Sequence, residues 1–366
     1  MRGNMSQTLA ELAIAWGDFS ARCSRRKQIL IVDDDPGTCT AFSIILTQRE
    51  FSCEVVQTGK AARTILEPGR FDAVIVDKHL PDGDGLDLVR QIHKIDRDCE
   101  VVVVTGFANL DSVLAAINLR AADYLVKPLD SIDILPAVVS RAVRRRHRRL
   151  LARRMLADLR GAVSQRADDT TAPQMAAARE RVNDFAKMLT TKRRILISAS
   201  ERANLKSTMF ALETKGFVVH EVVDGDTALT RCTRGEVDVL IVSDRFTDMT
   251  GLELVDQVLA TDHRPELVFV SGRSTFEDAL AAVSRGAAAY DIRPIKDTDA
   301  FCRRVEQALA NHHERLYHYK MVKELYAVVA TMEKRAEDSR TRRRITATLG
   351  EFDIITAEKS IKPYEE

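Results

Sequence analysis

The sequence predicts a duplicated α/β fold, two copies of an open parallel β-sheet with helices on both faces. Three observations lead there. The stretch DAVIVDKHLPDGDGLDL at 72–88 returns as DVLIVSDRFTDMTGLEL at 238–254, an offset of 166 that holds without insertion over roughly a hundred residues. One fixed period of that kind marks two copies of a domain. Short Val- and Ile-rich runs such as EVVVV are apolar throughout rather than alternating, as strands buried on both faces are. These runs alternate with helical patterns of 10–15 residues, which gives a parallel sheet joined by right-handed crossovers.

Taken in order, residues 8–23 read as an amphipathic helix, with Leu9, Leu12, Trp16, Phe19 and Cys23 at helical spacing and Thr8 and Glu11 forming a capping box. In the first copy, strands are expected at 28–33, 52–56, 72–77, 100–104 and 123–126. Helices are expected near 36–48, 59–67, 86–95 and 110–119, and from 131 onward. The last of these runs into RAVRRRHRRLLARR at 141–154, eight arginines without an acid. That run reads as a solvated helix face, as a surface for an acidic partner, or as a phosphate-binding stripe. Nucleic acid is the weaker choice, since no aromatic side chain interleaves for base stacking and no recognition-helix module follows. Residues 164–173 break the pattern before a helix at 174–190. After 300, Val305, Leu309, His312, Leu316 and Tyr319, then Val322, Leu325, Val329 and Met332, outline a coiled-coil seam with one slip in phase. The expected division is an extension at 1–27, a first domain at 28–140, an arginine-rich helical linker at 141–192, a second domain at 193–300, and a long helix with a tail at 301–366.

Bulk properties narrow the class. With 366 residues, 45% hydrophobic and 30% charged, there is room for two or three packed domains. The net charge of +1 supplies no global field for nucleic acid or membrane. No apolar run is long enough to span a bilayer, and the start of the chain lacks a signal-peptide pattern. Six scattered cysteines without metal spacing suit a reducing cytoplasm. His312, His313 and His318 have no acidic or cysteine partner at suitable spacing to make a zinc site.

In α/β sheets of this kind chemistry collects at the carboxyl ends of the strands. Asp33, Asp34 and Asp35 follow the first strand, Asp77 ends the third, Thr105 ends the fourth, and Lys127 precedes Pro128 after the fifth. Gathered acids repel one another unless a cation sits among them, and a hard oxygen-seeking ion such as Mg²⁺ suits them. A carboxylate can also act as a nucleophile and form an aspartyl-phosphate.

This ordered set resembles the receiver domain of bacterial two-component response regulators. The resemblance implies a flavodoxin-like (βα)₅ fold with strand order 2-1-3-4-5. It implies Asp77 as phosphoacceptor, Asp33 and Asp34 as the acid pair, Thr105 as the switch hydroxyl, Tyr124 as the switch aromatic and Lys127 as the phosphate-pairing lysine. It further implies Mg²⁺ held by Asp34, Asp77 and the backbone carbonyl of His79, with Asp33 acting through water, and a cis Lys127–Pro128 bond. Arg120 departs from the pattern, where Gly286 in the second copy is the usual helix-ending glycine.

The second copy departs further. Asp33 and Asp34 become Ala199 and Ser200, Asp77 becomes Ser243 and Lys127 becomes Arg293, whereas Thr105 persists in kind as Ser271 and Tyr124 as Tyr290. A serine without a base is a poor nucleophile, and Asp244, one step along, is expected to face away from the site. The second copy therefore reads as a pseudo-receiver. The resemblance implies a cytoplasmic response regulator that is not an enzyme beyond its own phosphorylation and dephosphorylation. A sensor histidine kinase would supply the phosphoryl group. The tail from 345 to 366 carries no helix-turn-helix, phosphate-cradling glycine loop or Gly-Gly-Asp-Glu-Phe cyclase signature, so output is expected to pass through a protein partner or a homodimer built on the helices, without a DNA-binding or catalytic output domain. A phosphate sink that drains a kinase, and a scaffold indifferent to phosphorylation, are the alternatives.

Overall fold

The computed structural model describes residues 27–165, 172–191, 193–198, 206–261 and 263–335. The expected helix at 8–23, the tail from 345 and the pair Ala199–Ser200 lie outside them.

The first sheet is built from β1 (Lys27–Val32), β2 (Phe51–Val56), β3 (Ala73–Asp77), β4 (Glu100–Thr105) and β5 (Asp123–Val126), all parallel, in the order β2-β1-β3-β4-β5. Helices α1 (Pro36–Thr47), α2 (Gly59–Ile65), α3 (Gly85–Ile95), α4 (Leu110–Asn118) and α5 (Ile134–Gln165) cross between or follow the strands. The period of two along each strand sorts the core into two layers. Ile29, Ile31, Ile75, Val102 and Val104 face Phe42 and Leu46 of α1 and Leu135, Val139 and Val143 of α5. Leu30, Val32, Val74, Val76 and Val103 face Leu88 and Ile92 of α3 and Val113 and Ile117 of α4. Both faces are dry, and each such side chain contributes about 1.5–3 kcal/mol by leaving water. Helix starts are set by polar caps. Asp35, with Pro36 behind it, accepts from the Gly37 and Thr38 amides, and Asn109 and Ser112 form a reciprocal capping box.

The second copy repeats the plan. Strands β6 (Arg194–Ser198), β7 (Val218–Val222), β8 (Val239–Val242), β9 (Glu266–Ser271) and β10 (Ala289–Ile292) run in the order β7-β6-β8-β9-β10. The flanking helices are α7 (Lys206–Thr214), α8 (Gly225–Thr233), α9 (Gly251–Leu259), α10 (Phe276–Ser284) and α11 (Thr298–Arg335), while α6 (Ala172–Thr191) precedes this copy. Both X-Pro bonds after the fifth strands, Lys127–Pro128 and Arg293–Pro294, are cis.

Two expectations change here. The start of the expected coiled-coil seam is core instead: Val305 and Leu309, with Phe301, Cys302 and Ala308, pack against Ile195, Ile197, Val268 and Val270. An amphipathic helix closing a sheet and a coiled-coil helix share the same spacing, so periodicity alone does not separate them. The packing of α11 on the second sheet thus runs past residue 300. The side chains of Val322, Leu325, Val329 and Met332 lie outside the description. The arginine run also finds its partners in the same chain. Arg141 pairs with Asp123, Arg145 with Glu100 at 2.9 Å, and Arg146 with Asp96 at 2.8 Å and Asp72 at 3.5 Å. Arg146 is 2% exposed, so this stretch of α5 is the lid on the amino ends of the strands rather than a solvated face.

Residues 27–146 and 193–312 form one compact unit that contains both sheets. A second unit, described over 147–165, 172–191 and 313–335, is helical throughout. Within it Arg153 pairs with Glu314 at 2.6 Å, and Arg181 and Lys320 both pair with Glu324. Among the described residues no helix is long and apolar enough to cross a membrane.

Candidate functional site

The strand ends bring the first copy's acids together. Asp33 follows β1 and Asp77 ends β3, and the two stand on neighbouring strands because β1 pairs with β3. Oxygen atoms of Asp33, Asp34 and Asp77 all lie within 4.8 Å of one another, with Asp33 and Asp77 buried and Asp34 exposed. Lys127, just past β5, reaches across with its Nζ 2.6 Å from Asp33 Oδ2 and 2.6 Å from Asp77 Oδ2. The second oxygens are held from the backbone. The Asp35 amide donates to Asp33 Oδ1 at 3.0 Å, and the His79 amide donates to Asp77 Oδ1 at 2.8 Å.

Electrostatics follow from this packing. Burial raises the Asp33 carboxyl above its ordinary value, partly opposed by the hydrogen bonds from Lys127 and the Asp35 amide. Burial pulls on Lys127 in the opposite sense, but the bonds and charges of Asp33 and Asp77 win and its ammonium is held more tightly than in water. One lysine does not balance three carboxylates. The exposed Asp34 leaves the cluster open on one side, so the donor set fits a divalent ion with an appetite for oxygen.

Thr105 is buried at the end of β4; its Oγ1 accepts from the Phe107 amide at 3.1 Å and lies 3.4 Å from His79 Nδ1. Tyr124 on β5 is turned inward, 1% exposed, with its hydroxyl 2.7 Å from Ser112 Oγ on α4. Burial raises its phenol pKa. Asp33, Asp34, Asp77 and Lys127 thus meet in one cluster, with Thr105 at the end of β4 and Tyr124 turned toward α4. Asp35 does not join the acid cluster, because it caps α1 instead.

Residues the sequence did not single out support the edge. Gly85 starts α3 so close beneath β3 that a Cβ there would sit 2.0 Å from the Asp77 carbonyl oxygen; only glycine fits. Asp82 accepts from the Gly59 and Lys60 amides at 2.8 and 2.6 Å and ties the loop after Asp77 to the start of α2. The repeated Asp-x-x-Gly spacing, 82 to 85 and 248 to 251, was the available signal.

At the second copy's edge, Ser243 and Ser271 are buried and Tyr290 is turned inward, with the Ser274 hydroxyl donating to its oxygen at 3.0 Å. Asp244 does not face away. It lies past the last residue of β8, where strand alternation no longer holds, and the chain bends its carboxylate back to the edge. There Oδ2 accepts from the Gly272 amide at 2.8 Å and stands 3.6 Å from Arg293 Nη2. Among the described residues the acid cluster of the first copy has no counterpart in the second.

Comparison with known proteins agrees with this architecture. The profile of the response regulator receiver domain matches residues 29–139 and again 195–306, together well over half of the sequence. The chain belongs to the response regulator receiver family. Among curated relatives, the photosynthetic apparatus regulatory protein RegA of Rhodobacter capsulatus is 30% identical over 115 residues, which covers 31% of this chain and 62% of RegA. The response regulator protein PilR of Pseudomonas aeruginosa is 34% identical over 122 residues, covering 33% of this chain and 27% of PilR. The match thus spans under two thirds of either relative. Among solved structures, the non-phosphorylated HemR receiver domain from Leptospira biflexa is 30% identical with a TM-score of 0.31, covering 32% of this chain and 94% of that one. TrrA from Thermotoga maritima, solved in complex with Mg(2+)-BeF, is 27% identical with a TM-score of 0.29, covering 32% of this chain and 98% of that one. Each match has about the length of a single receiver.

Proposed function

We propose that this chain is a two-component response regulator in which the first receiver alone is phosphorylated, on Asp77, by a sensor histidine kinase, and that phosphorylation switches protein–protein contacts. The observation that carries the reading is Lys127 bridging Asp33 and Asp77 beside the open carboxylate of Asp34.

In this reading an Asp77 carboxylate oxygen attacks the phosphorus of a phosphohistidine. The phosphorus–nitrogen bond breaks as the new oxygen–phosphorus bond forms, and the imidazole leaves with the electron pair. Phosphoryl transfer asks the protein chiefly for positioning and for neutralised oxygens. The His79 amide and Lys127 hold Asp77 in place, and Lys127 then pairs with the transferred group. Asp34, Asp77 and the His79 carbonyl would hold Mg²⁺, with Asp33 reaching it through water; the ion supplies charge neutralisation for the phosphoryl oxygens. The product adds about 1.5 to 2 negative charges at Asp77. The Thr105 hydroxyl turns toward it, and the Phe107 amide that now donates to Thr105 Oγ1 loses its acceptor. The loop between β4 and α4 re-forms, and Tyr124 and Ser112 respond with it.

Incubating the full chain with a low-molecular-weight phosphodonor and Mg²⁺ tests the reading. One acid-stable, hydroxylamine-labile adduct mapped by mass spectrometry to Asp77 is the expected result. An adduct retained in the Asp77→Asn chain would reject the assignment.

A further inference from the structure

The two receivers meet through equivalent parts of their folds. Helix α4 packs on α10 and on the edge strand β10, while α10 packs on the edge strand β5. The offset of 166 relates α4 to α10 and Tyr124 to Tyr290, so the contact approximates a two-fold within one chain. A single hydrophobic cluster runs through it, from Val113, Ile117 and Tyr124 on one side to Ala279, Val283 and Tyr290 on the other.

The polar contacts are more specific. The Asn118 side-chain amide donates from Nδ2 to the Tyr290 carbonyl at 3.1 Å, and the Tyr290 amide donates to Asn118 Oδ1 at 3.2 Å. One side chain thus satisfies both backbone groups of an edge residue, as a neighbouring strand would. At the related position Ser284 donates to Asp123, the residue before Tyr124, at 3.5 Å. The residue that receives the Asn118 amide is the second receiver's own inward-turned aromatic.

We infer that the second receiver is the resident partner of the first receiver's α4–β5 face, and that the Asn118–Tyr290 contact carries the state of Asp77 into it. The coupling rests on the proposed role of Asp77; the docking does not. The mechanical link is α4 itself. Ser112, which touches the Tyr124 hydroxyl, and Asn118 lie six residues apart on one helix, about 9 Å along its axis. The capping box keeps its first turn from fraying, so displacement of the loop after Thr105 moves the helix as a body rather than being absorbed at its end. The face that responds to phosphorylation is therefore covered in cis, and a second copy of the chain does not need to supply it.

Hydrogen exchange of the full chain, read peptide by peptide, tests both parts. Without phosphodonor, Asn118→Ala should accelerate exchange at Tyr290 roughly three- to tenfold while strands β1 and β3 stay unchanged. Unaltered exchange at Tyr290 would overturn the docking. With phosphodonor and Mg²⁺, exchange over 286–292 should change in the unsubstituted chain and not in Asp77→Asn. The Asn118→Ala chain should take up label on Asp77 normally yet lose that response. Labelled Asp77 with no response over 286–292 would overturn the coupling. Absence of label would instead reject the reading of the site, and would leave the docking result standing.

Discussion

The two sheets agree at one end and part at the other. At their amino ends, Asp72 accepts from the Gln28 amide at 2.9 Å and Asp238 accepts from the Arg194 amide at 2.9 Å. A nitrogen-bearing side chain from the last helix of each copy stands by each acid, Arg146 in the first and His312 in the second, 166 positions apart. The loop aspartates Asp82 and Asp248 also make the same pair of amide contacts. At the carboxyl ends, Lys127 gathers two carboxylates in the first copy, and Arg293 is left beside Asp244 in the second. Contacts that keep the fold are the same in both copies, while the charged groups at the carboxyl ends differ. Likeness of framework is thus no measure of likeness at the strand ends.

The sharpest way to break this contrast is to move the proposed acceptor. Asp77→Asn should abolish labelling, and Ser243→Asp should not create a second labelled site, since position 243 then gains a carboxylate without the acid pair. Mass spectrometry of the labelled chains decides; label at 243 would erase the distinction.

The amino ends come next. Arg146→Met takes the guanidinium away from Asp96 and Asp72 and should cost about 3 kcal/mol in urea unfolding. His312→Leu should cost under about 1 kcal/mol, because Arg194 still donates to Asp238 from its amide, Nε and Nη2. The Arg146 effect carries a pH signature. Burial pushes the Asp96 carboxyl up, but bonds from Arg146 and the Gly69 amide, with the arginine charge, bring it below its ordinary value. A depressed carboxylate adds stability above its unfolded pKa near 3.9 and loses it as pH falls through the folded value. The gap between wild type and Arg146→Met should therefore be full at neutral pH and narrow below about pH 4.

Smaller effects refine the carboxyl ends. Asp244→Ala removes one partly exposed charge-assisted bond and should cost about 1 kcal/mol, with faster amide exchange at Gly272. Arg120 sits at a φ of 63°, where its counterpart Gly286 sits at 79°. Arg120→Gly relieves that strain but loosens the unfolded chain, so the net change should stay within about 1 kcal/mol of zero. The arginine itself lines a cleft with Arg303, Arg304 and Gln307 of the second receiver.

Much of this was legible in the sequence. Continuous apolar runs at a constant offset outline both sheets, and Asp33, Asp77, Thr105 and Lys127 announce their meeting because each closes a strand. What stayed hidden depends on partners distant along the chain. Arg145 and Arg146 read as a solvated run because Glu100 and Asp96 lie 45 and 50 residues away. Asp244 reaches the edge because it lies beyond the end of its strand, where alternation no longer applies. Asn118 has no pattern of its own; only the docked second copy gives its amide a purpose.

Each receiver also hides a hazard belonging to the other. Strands β5 and β10 are sheet edges, and an uncovered edge beside an apolar helix invites recruitment of a foreign strand. Cutting the chain between the receivers would bare both borders at once. Either half expressed alone would then tend toward self-association, whereas the intact tandem is its own safeguard against clumping.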